Sequence, residues 1–457
     1  MNGPVLFIVF GVIAGVVLNL SLKRSLQVVW FGSLVVVGLF VYLYDSILLL
    51  KWVISGIGLT YLVKYFGSLL LYKGRARIFS PAKWTIAFII YCLVVSVVNG
   101  GYEDLIWDFK NYFQSVGILL CLSLPSMGIS LARSFFSMLL FVALVQVPVA
   151  VYQYKSLASE LYAGDRIVGT FGNGVNAIGD DSFLSTFMAL LLVFSLSLFL
   201  KRKLSFFKAI LLTSLFVIPI LLTNTKMVIF YLFIGGVFVF IDGVKDRPLL
   251  SIFLMATFGL LVLGVGYYHY SKSYLYNQYL MTPGTVEEYV DRTLEYNTKN
   301  LKGEDLNRIS VLLHWWKEHP IDEDWFQALF GHGVGASKIR GHQRGSVASS
   351  KRYIRYSIGL TTLSRFLWDI GVVGVLLYLM IMWSTFRIVL NLLLKCDHIP
   401  SDRSRLLVIL LAIVVNVIHM AYKPSLLSNQ AYSIFMYSML GFSLTYYADK
   451  IYEKQVG

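Results

Sequence analysis

Residues 177–200 read AIGDDSFLSTFMALLLVFSLSLFL, and past Asp181 the stretch carries no charge to its end. At 1.5 Å of rise per residue, about 20 such residues make a helix roughly 30 Å long, which matches the hydrocarbon core of a bilayer. Similar runs lie near 4–22, 26–44, 47–71, 84–99, 112–126, 133–153, 206–222, 227–241, 248–267, 363–385, 405–421 and 429–447. They predict about thirteen spans, with twelve or fourteen also allowed. The chain has 57% hydrophobic and 14% charged residues, against about 25% charged in soluble domains. That balance excludes a soluble enzyme, a disulfide scaffold, a fibrous protein and a disordered chain. An outer-membrane barrel is excluded too, because its strands alternate apolar and polar residues with period two. The expected fold is all-α: a polytopic transmembrane helix bundle with one helical extracytoplasmic loop domain.

The expected domains are ten spans over 1–267, a hydrophilic loop domain over 268–362, and three spans with a tail over 363–457. The first apolar run begins at Pro4 without a basic flank or a small-residue cleavage site, and is read as a retained helix rather than a signal peptide. The 39 Lys+Arg against 25 Asp+Glu leave a net charge of +14. Lys23, Arg24, Lys73, Arg75, Arg77, Lys83, Lys201, Arg202, Lys203, Lys208, Arg387, Lys395, Arg403 and Arg405 fall in loops on one side; Asp45, Glu103, Asp104 and Asp108 fall on the other. Lys/Arg excess in short loops marks the cytoplasmic face. The amino terminus is therefore expected outside, the carboxyl terminus inside, and residues 268–362 outside.

Within that long segment, Thr285-Val-Glu-Glu288 fits a capping box at a helix start. A second amphipathic helix is expected from Asp305 to Glu318, closed by Pro320. Trp315 and Trp316 suit a cap resting on the membrane surface. From Lys338 to Arg365 there are seven basic residues and no acidic one, among them Arg340, Arg344, Arg352, Arg355 and Arg365. Arg166, Lys226 and Lys423 sit at further outer span mouths. Cations outside are the ones the orientation rule does not supply. They describe either a solvated basic surface near anionic head groups or a site for an anionic substrate, and arginine's planar fork suits phosphate oxygens. A nucleic-acid partner is excluded by location and by the lack of any recognition motif. Few ionisable residues lie within the spans, which counts against an ion-coupled transporter. The segment Arg166-Ile-Val-Gly-Thr-Phe-Gly-Asn-Gly-Val-Asn-Ala-Ile-Gly179 opens a span; its glycines allow either a phosphate-cradling turn of exposed N–H groups or a plain re-entrant turn.

Several of these stretches stand in a familiar order. Arg166-Ile-Val-Gly-Thr-Phe-Gly-Asn173 is followed by Thr223-Asn-Thr-Lys226, then Arg308, Trp315, Trp316, His319-Pro320 and Leu329-Phe-Gly-His-Gly-Val-Gly335. Trp368-Asp369-Ile-Gly371-Val-Val-Gly374 closes the series. In this order the chain resembles the O-antigen polymerase and ligase superfamily, the Wzy-type polymerases and WaaL-type ligases among GT-C-like membrane glycosyltransferases. The resemblance covers roughly residues 160–385. Two features depart from the family: Asn173-Gly-Val175 replaces an Asn-Pro-Asn, and Leu360-Thr-Thr362 stand where ligases carry a histidine. The second departure favours the polymerase over the ligase.

The resemblance implies a bacterial inner-membrane enzyme of polysaccharide or lipopolysaccharide biosynthesis, acting on the periplasmic or outer side. It would join repeat units carried on undecaprenyl pyrophosphate into O-antigen or capsular polysaccharide. Its partners would be those lipid-linked glycans, membrane lipid and a chain-length regulator; no cofactor and no metal are expected. Arg308, Lys226 and Arg166 are the first candidates for the pyrophosphate, followed by Arg340, Arg344, Arg352, Arg355, Arg365 and Lys423. Preorganised cations of this kind stabilise charge developing on a leaving group. His332 is a candidate base or a polar turn residue; Asn173, Asp180 and Asp181 are further candidate bases or polar contacts. Asp369, His314 and His319 read as structural. Alternatives are a ligase passing glycan to another acceptor and a lipid-linked oligosaccharide flippase.

Overall fold

The structure, a computed structural model, describes residues 15, 19–43, 49–71, 79–124, 126–157, 163–172, 181–223, 225–272, 306–319, 321–340, 343–348, 350, 357–395 and 399–456. The chain is an all-α, membrane-embedded helix bundle. Among the described residues, eight helices are long and apolar enough to cross a membrane. Helix α1 (Leu22–Phe31) continues through a π-helical turn at Gly32–Val36 into α2 (Val37–Leu43). Helices α3 (Leu49–Leu71), α4 (Ser80–Val98), α5 (Tyr102–Phe113), α6 (Val116–Leu122) and α7 (Ile129–Leu157) follow. Next come α8 (Asp181–Leu200), α9 (Phe206–Leu222), α10 (Val228–Val244) and α11 (Pro248–Lys272). The run at 4–22 and the capping box at 285–288 lie largely or wholly outside the described residues.

Helix α8, the charge-free stretch, is the hub, with 94% of its apolar window buried inside the protein. A helix apolar on every face is stable only when surrounded, and here other helices surround it. It packs against α9, α10 and α15 (Pro400–Tyr422). Helix α11, by contrast, has only 22% of its window buried and is the outermost span.

The run expected as a span at 112–126 has a different form. Helix α5 ends at Phe113, Gln114 and Ser115 interrupt it, and α6 is a seven-residue helix with every residue buried. At about 10 Å, α6 cannot cross a bilayer. Glycines explain how its backbone fits against α3: a Cβ at Gly117 would lie 2.9 Å from the Gly58 carbonyl oxygen, and one at Gly58 would lie 1.9 Å from the Gln114 carbonyl oxygen.

The loop domain contributes α12 (Ser310–Glu318), α13 (Ile321–Phe330) and a two-residue antiparallel ladder of β1 (Ile339–Arg340) with β2 (Gln343–Arg344). Helix α12 stops at Glu318, as expected, with non-helical His319 before Pro320, but it begins at Ser310 rather than at Asp305. A small second core of Leu306, Val311, Trp315, Ala328, Ala348 and Ile358 closes on Trp368 of α14 (Thr362–Lys395). Helix α14 is not continuous: Gly371 takes φ 64° and ψ −172°, so a short outer segment turns into a long inner one. The chain closes with α16 (Ser425–Ser428) and α17 (Gln430–Val456).

Candidate functional site

One mouth of the bundle is formed by the start of α8, the 223–227 loop, the α15–α16 junction and residues 306–310. Four of the sequence candidates meet there. Nε of Arg308 donates to the Tyr422 carbonyl oxygen at 2.9 Å, and its guanidinium lies 4.0 Å from the centre of the Tyr422 ring. Lys423 Nζ approaches Asp181 Oδ1 at 3.8 Å, while Thr225 Oγ1 donates to Asp181 Oδ2 at 2.7 Å. Lys226 sits on the rim. Partial desolvation and the nearby Arg308 hold its pKa below the ordinary lysine value, with Asp165 opposing them. Arg166 ends the short 3₁₀ turn Ala163–Arg166 that carries Asp165. Cations gathered at one mouth raise the local positive potential, which favours an incoming anion.

In the described part of the glycine-rich turn after Arg166, Gln153 Oε1 accepts from the N–H groups of Val168 (3.1 Å) and Gly169 (2.8 Å), and Gln146 Oε1 accepts from Thr170 N–H at 2.7 Å. These three N–H groups are therefore spent on two α7 glutamines rather than open to phosphate. Residues 173–179 of the same stretch lie outside the described residues.

Arg365 also departs from expectation. Its NH2 group donates to Asp108 Oδ2 at 2.5 Å, and Lys338 Nζ stands 3.2 Å from Asp108 Oδ1. Asp108 is fully buried and Arg365 nearly so. Burial alone would raise the Asp108 pKa, but the Arg365 and Lys338 charges outweigh it and hold the carboxyl below its usual range. Arg365 is thus a buried partner of Asp108 rather than an exposed member of the cation set. Asp369 keeps the structural role read for it: its carboxylate accepts from Tyr112 Oη (2.8 Å), Gly335 N–H (3.1 Å) and Ser337 N–H (2.7 Å). The two aspartates pin the glycine-rich loop 331–337 to α5 and α14.

His332 follows Gly331 in that loop. His319 Nδ1 lies 3.0 Å from the Trp315 carbonyl oxygen, which can only accept, so Nδ1 carries a proton. His319 Nε2 and His332 Nε2 stand 3.0 Å apart, so a single proton is shared along that contact. Burial first, and His319 second, push its pKa down to about 4, with Asp324 opposing. The ring stacks on Trp368 at 5.9 Å. Thr362, at the other end of this α14 segment, is bound to the Lys423 carbonyl through its N–H (3.1 Å) and Oγ1 (3.0 Å). Roughly 9 Å of helix lies between Thr362 and Trp368, the residue on which the imidazole stacks.

For Arg340 and Arg344 only the backbone is described, on the two-residue ladder; Asn173, Asp180, Arg352 and Arg355 lie outside the described residues. Sequence reasoning did not single out Tyr422, Gln146 and Gln153, it quoted Thr225 only within the motif Thr223–Lys226, and it placed Asp108 only in an acidic patch. The glutamines did leave a signal: two amides seven residues apart inside an apolar helix share a face and need buried partners. Neither the comparison with protein-family models nor that with curated proteins yields a match.

Proposed function

We propose that the protein is a metal-independent glycosyltransferase that polymerises undecaprenyl-pyrophosphate-linked repeat units into an O-antigen or capsular polysaccharide. In this proposal it lies in a bacterial inner membrane, with the amino terminus and the cation mouth on the outer side. The observation that carries the reading is the gathering of Arg308, Lys226 and Lys423 at one mouth, with Arg166 on the adjoining turn. A diphosphate leaving group takes the electron pair as its bond to the anomeric carbon breaks. Preorganised cations stabilise that developing charge. The acceptor sugar's hydroxyl oxygen closes on the same carbon, and its proton passes to the His332 imidazole.

A base as weak as His332 accepts the proton late, once the attacking oxygen already bears positive charge, and that fits a leaving group that departs early.

The test is elongation by the purified protein of lipid-linked repeat units alone. A ladder of products with EDTA present and no nucleotide sugar supports the reading; no ladder, or one abolished by EDTA, refutes it.

A further inference from the structure

An apolar groove of about 340 Å³ runs between α14 and α15 on the lipid-facing side. Leu379, Trp383 and Phe386 form one wall, and Val414, Val417 and Ile418 the other. Trp383 is 56% exposed, so more than half of it is left uncovered. The groove's position along α15 matters more than its volume. Val414, Val417, Ile418, Ala421 and Tyr422 stand at i, i+3, i+4, i+7 and i+8, which is one continuous face of a helix. That face ends on the Tyr422 ring under the Arg308 guanidinium, with Lys423 next in the chain. Ile418 lies roughly 6 Å below Tyr422. Because α14 turns inward at Gly371, its inner segment descends beside α15 from the same mouth, and Asn416 Nδ2 bonds Tyr378 Oη at 3.0 Å just behind the groove.

We infer that this groove holds the first isoprene units of a polyisoprenoid diphosphate whose anionic head meets Arg308 and Lys423. The inference rests on the proposed function and adds where the lipid tail lies. An apolar groove whose α15 wall continues along one helix face to Tyr422 and the cations beside it matches an amphiphile with a strongly charged head and a long hydrocarbon chain. A phosphodiester lipid carries a single charge and would leave part of the Arg308, Lys423 and Lys226 set unmatched. The larger groove of about 630 Å³ beside α1 and α3 has Arg24 as its one cation, and it serves as the internal comparison.

The experiment uses the full-length protein in phosphatidylcholine nanodiscs and a polyprenyl diphosphate bearing a diazirine on its second isoprene unit. Cross-linked peptides are mapped by mass spectrometry. The expected labels fall within 379–386 and 413–418, are competed away by unlabelled polyprenyl diphosphate, and resist phosphatidylglycerol. Val417→Trp and Ile418→Trp, which fill the groove from its lipid side, should cut labelling about tenfold, as should the Arg308→Ala/Lys423→Ala double variant. Leu260→Trp on the exposed face of α11 should leave labelling unchanged. Labels spread over the lipid-facing surface, labels concentrated beside Arg24, or equal competition by phosphatidylglycerol would each overturn the inference. Groove labelling in a protein that fails to elongate repeat units would defeat the polymerase and leave the tail site standing. Elongation with labels elsewhere would do the reverse.

Discussion

Replacing Gly371 by alanine should be among the most disruptive single-methyl changes in this protein. Its φ of 64° with ψ −172° belongs to a region only glycine occupies freely, and holding another residue there costs about 1–3 kcal/mol. A Cβ built on it would lie 2.3 Å from the Leu329 carbonyl oxygen, 2.5 Å from that carbonyl carbon and 2.6 Å from the Gly331 nitrogen. All three are backbone atoms, so no flexible side chain can move aside, and overpacking adds about 1–3 kcal/mol more. The combined penalty, about 2–6 kcal/mol, is a large part of a typical stability of 5–15 kcal/mol. At roughly 2 °C per kcal/mol for a large domain, the apparent Tm in detergent should fall by about 4–12 °C. Gly259→Ala is the matched control, since nothing lies within 4 Å of its Cβ position. The measurement is a thermal scan of both purified variants beside the wild type. A Gly371→Ala protein melting within a degree of wild type would show that α14 does not break at this residue. The contact between residues 329–331 and 369–371 would then be wrong too.

Arg308→Ala should lower kcat by about 100- to 1000-fold, the usual effect of removing one preorganised charge stabiliser. Arg308→Lys should fall between it and wild type, because lysine keeps the charge but loses the fork that holds Tyr422 and presents two further donors. Initial elongation rates with lipid-linked repeat units measure both, and activity within threefold of wild type would remove Arg308 from the site. Asp108→Asn should destabilise by about 3–5 kcal/mol, since it leaves the buried Arg365 uncompensated; joint replacement with Arg365→Met should recover part of the lost yield and melting temperature. His332 has a depressed folded pKa, so it stays neutral from alkaline pH down through its unfolded value near 6.5 and protonates only as pH falls through about 4. Its contribution to the rate should therefore hold flat from pH 8 to 5 and be lost on the acid side near 4. His332→Gln should be slow throughout and lack that acid limb, and an unchanged profile in this variant would exclude it as the base.

The bundle itself was legible because apolar length is a local property. The stretch from Ser182 to Leu200 announces a span by itself, and the structure makes it the hub. The break inside 112–126 was not legible, because Gln114 and Ser115 interrupt a helix only when their backbone meets another chain segment. Gly58 of α3 supplies that meeting from 56 residues upstream of Gln114. Lys226 and Lys423 were singled out as cations at expected span mouths and Arg308 through the order of motifs, and the structure brings the three to one mouth. Arg365 carried the same signature in the sequence. What sets it apart is Asp108, which lies 257 positions away and faces it across two helices.

That contrast divides the molecule's charges into two kinds. Asp108 and Asp369 sit in a zone where an unpaired carboxylate would be costly, and each is fully matched by protein donors: Arg365 and Lys338 for one, Tyr112 and two backbone N–H groups for the other. Satisfied in this way, they have nothing left to offer a substrate, and they fasten the loop that carries His332 onto the spans. At the cation mouth the contacts among the described residues are of another kind: Asp181 stands 3.8 Å from Lys423 and is shared with Thr225, while Arg308 donates to a carbonyl oxygen and lies over a ring. Positive charge held in position by neutral partners keeps most of its attraction for a mobile anion. Under the function proposed above, the kind of partner, more than the number of basic residues, separates the cations that would meet a diphosphate from the buried charges that hold the loop in shape.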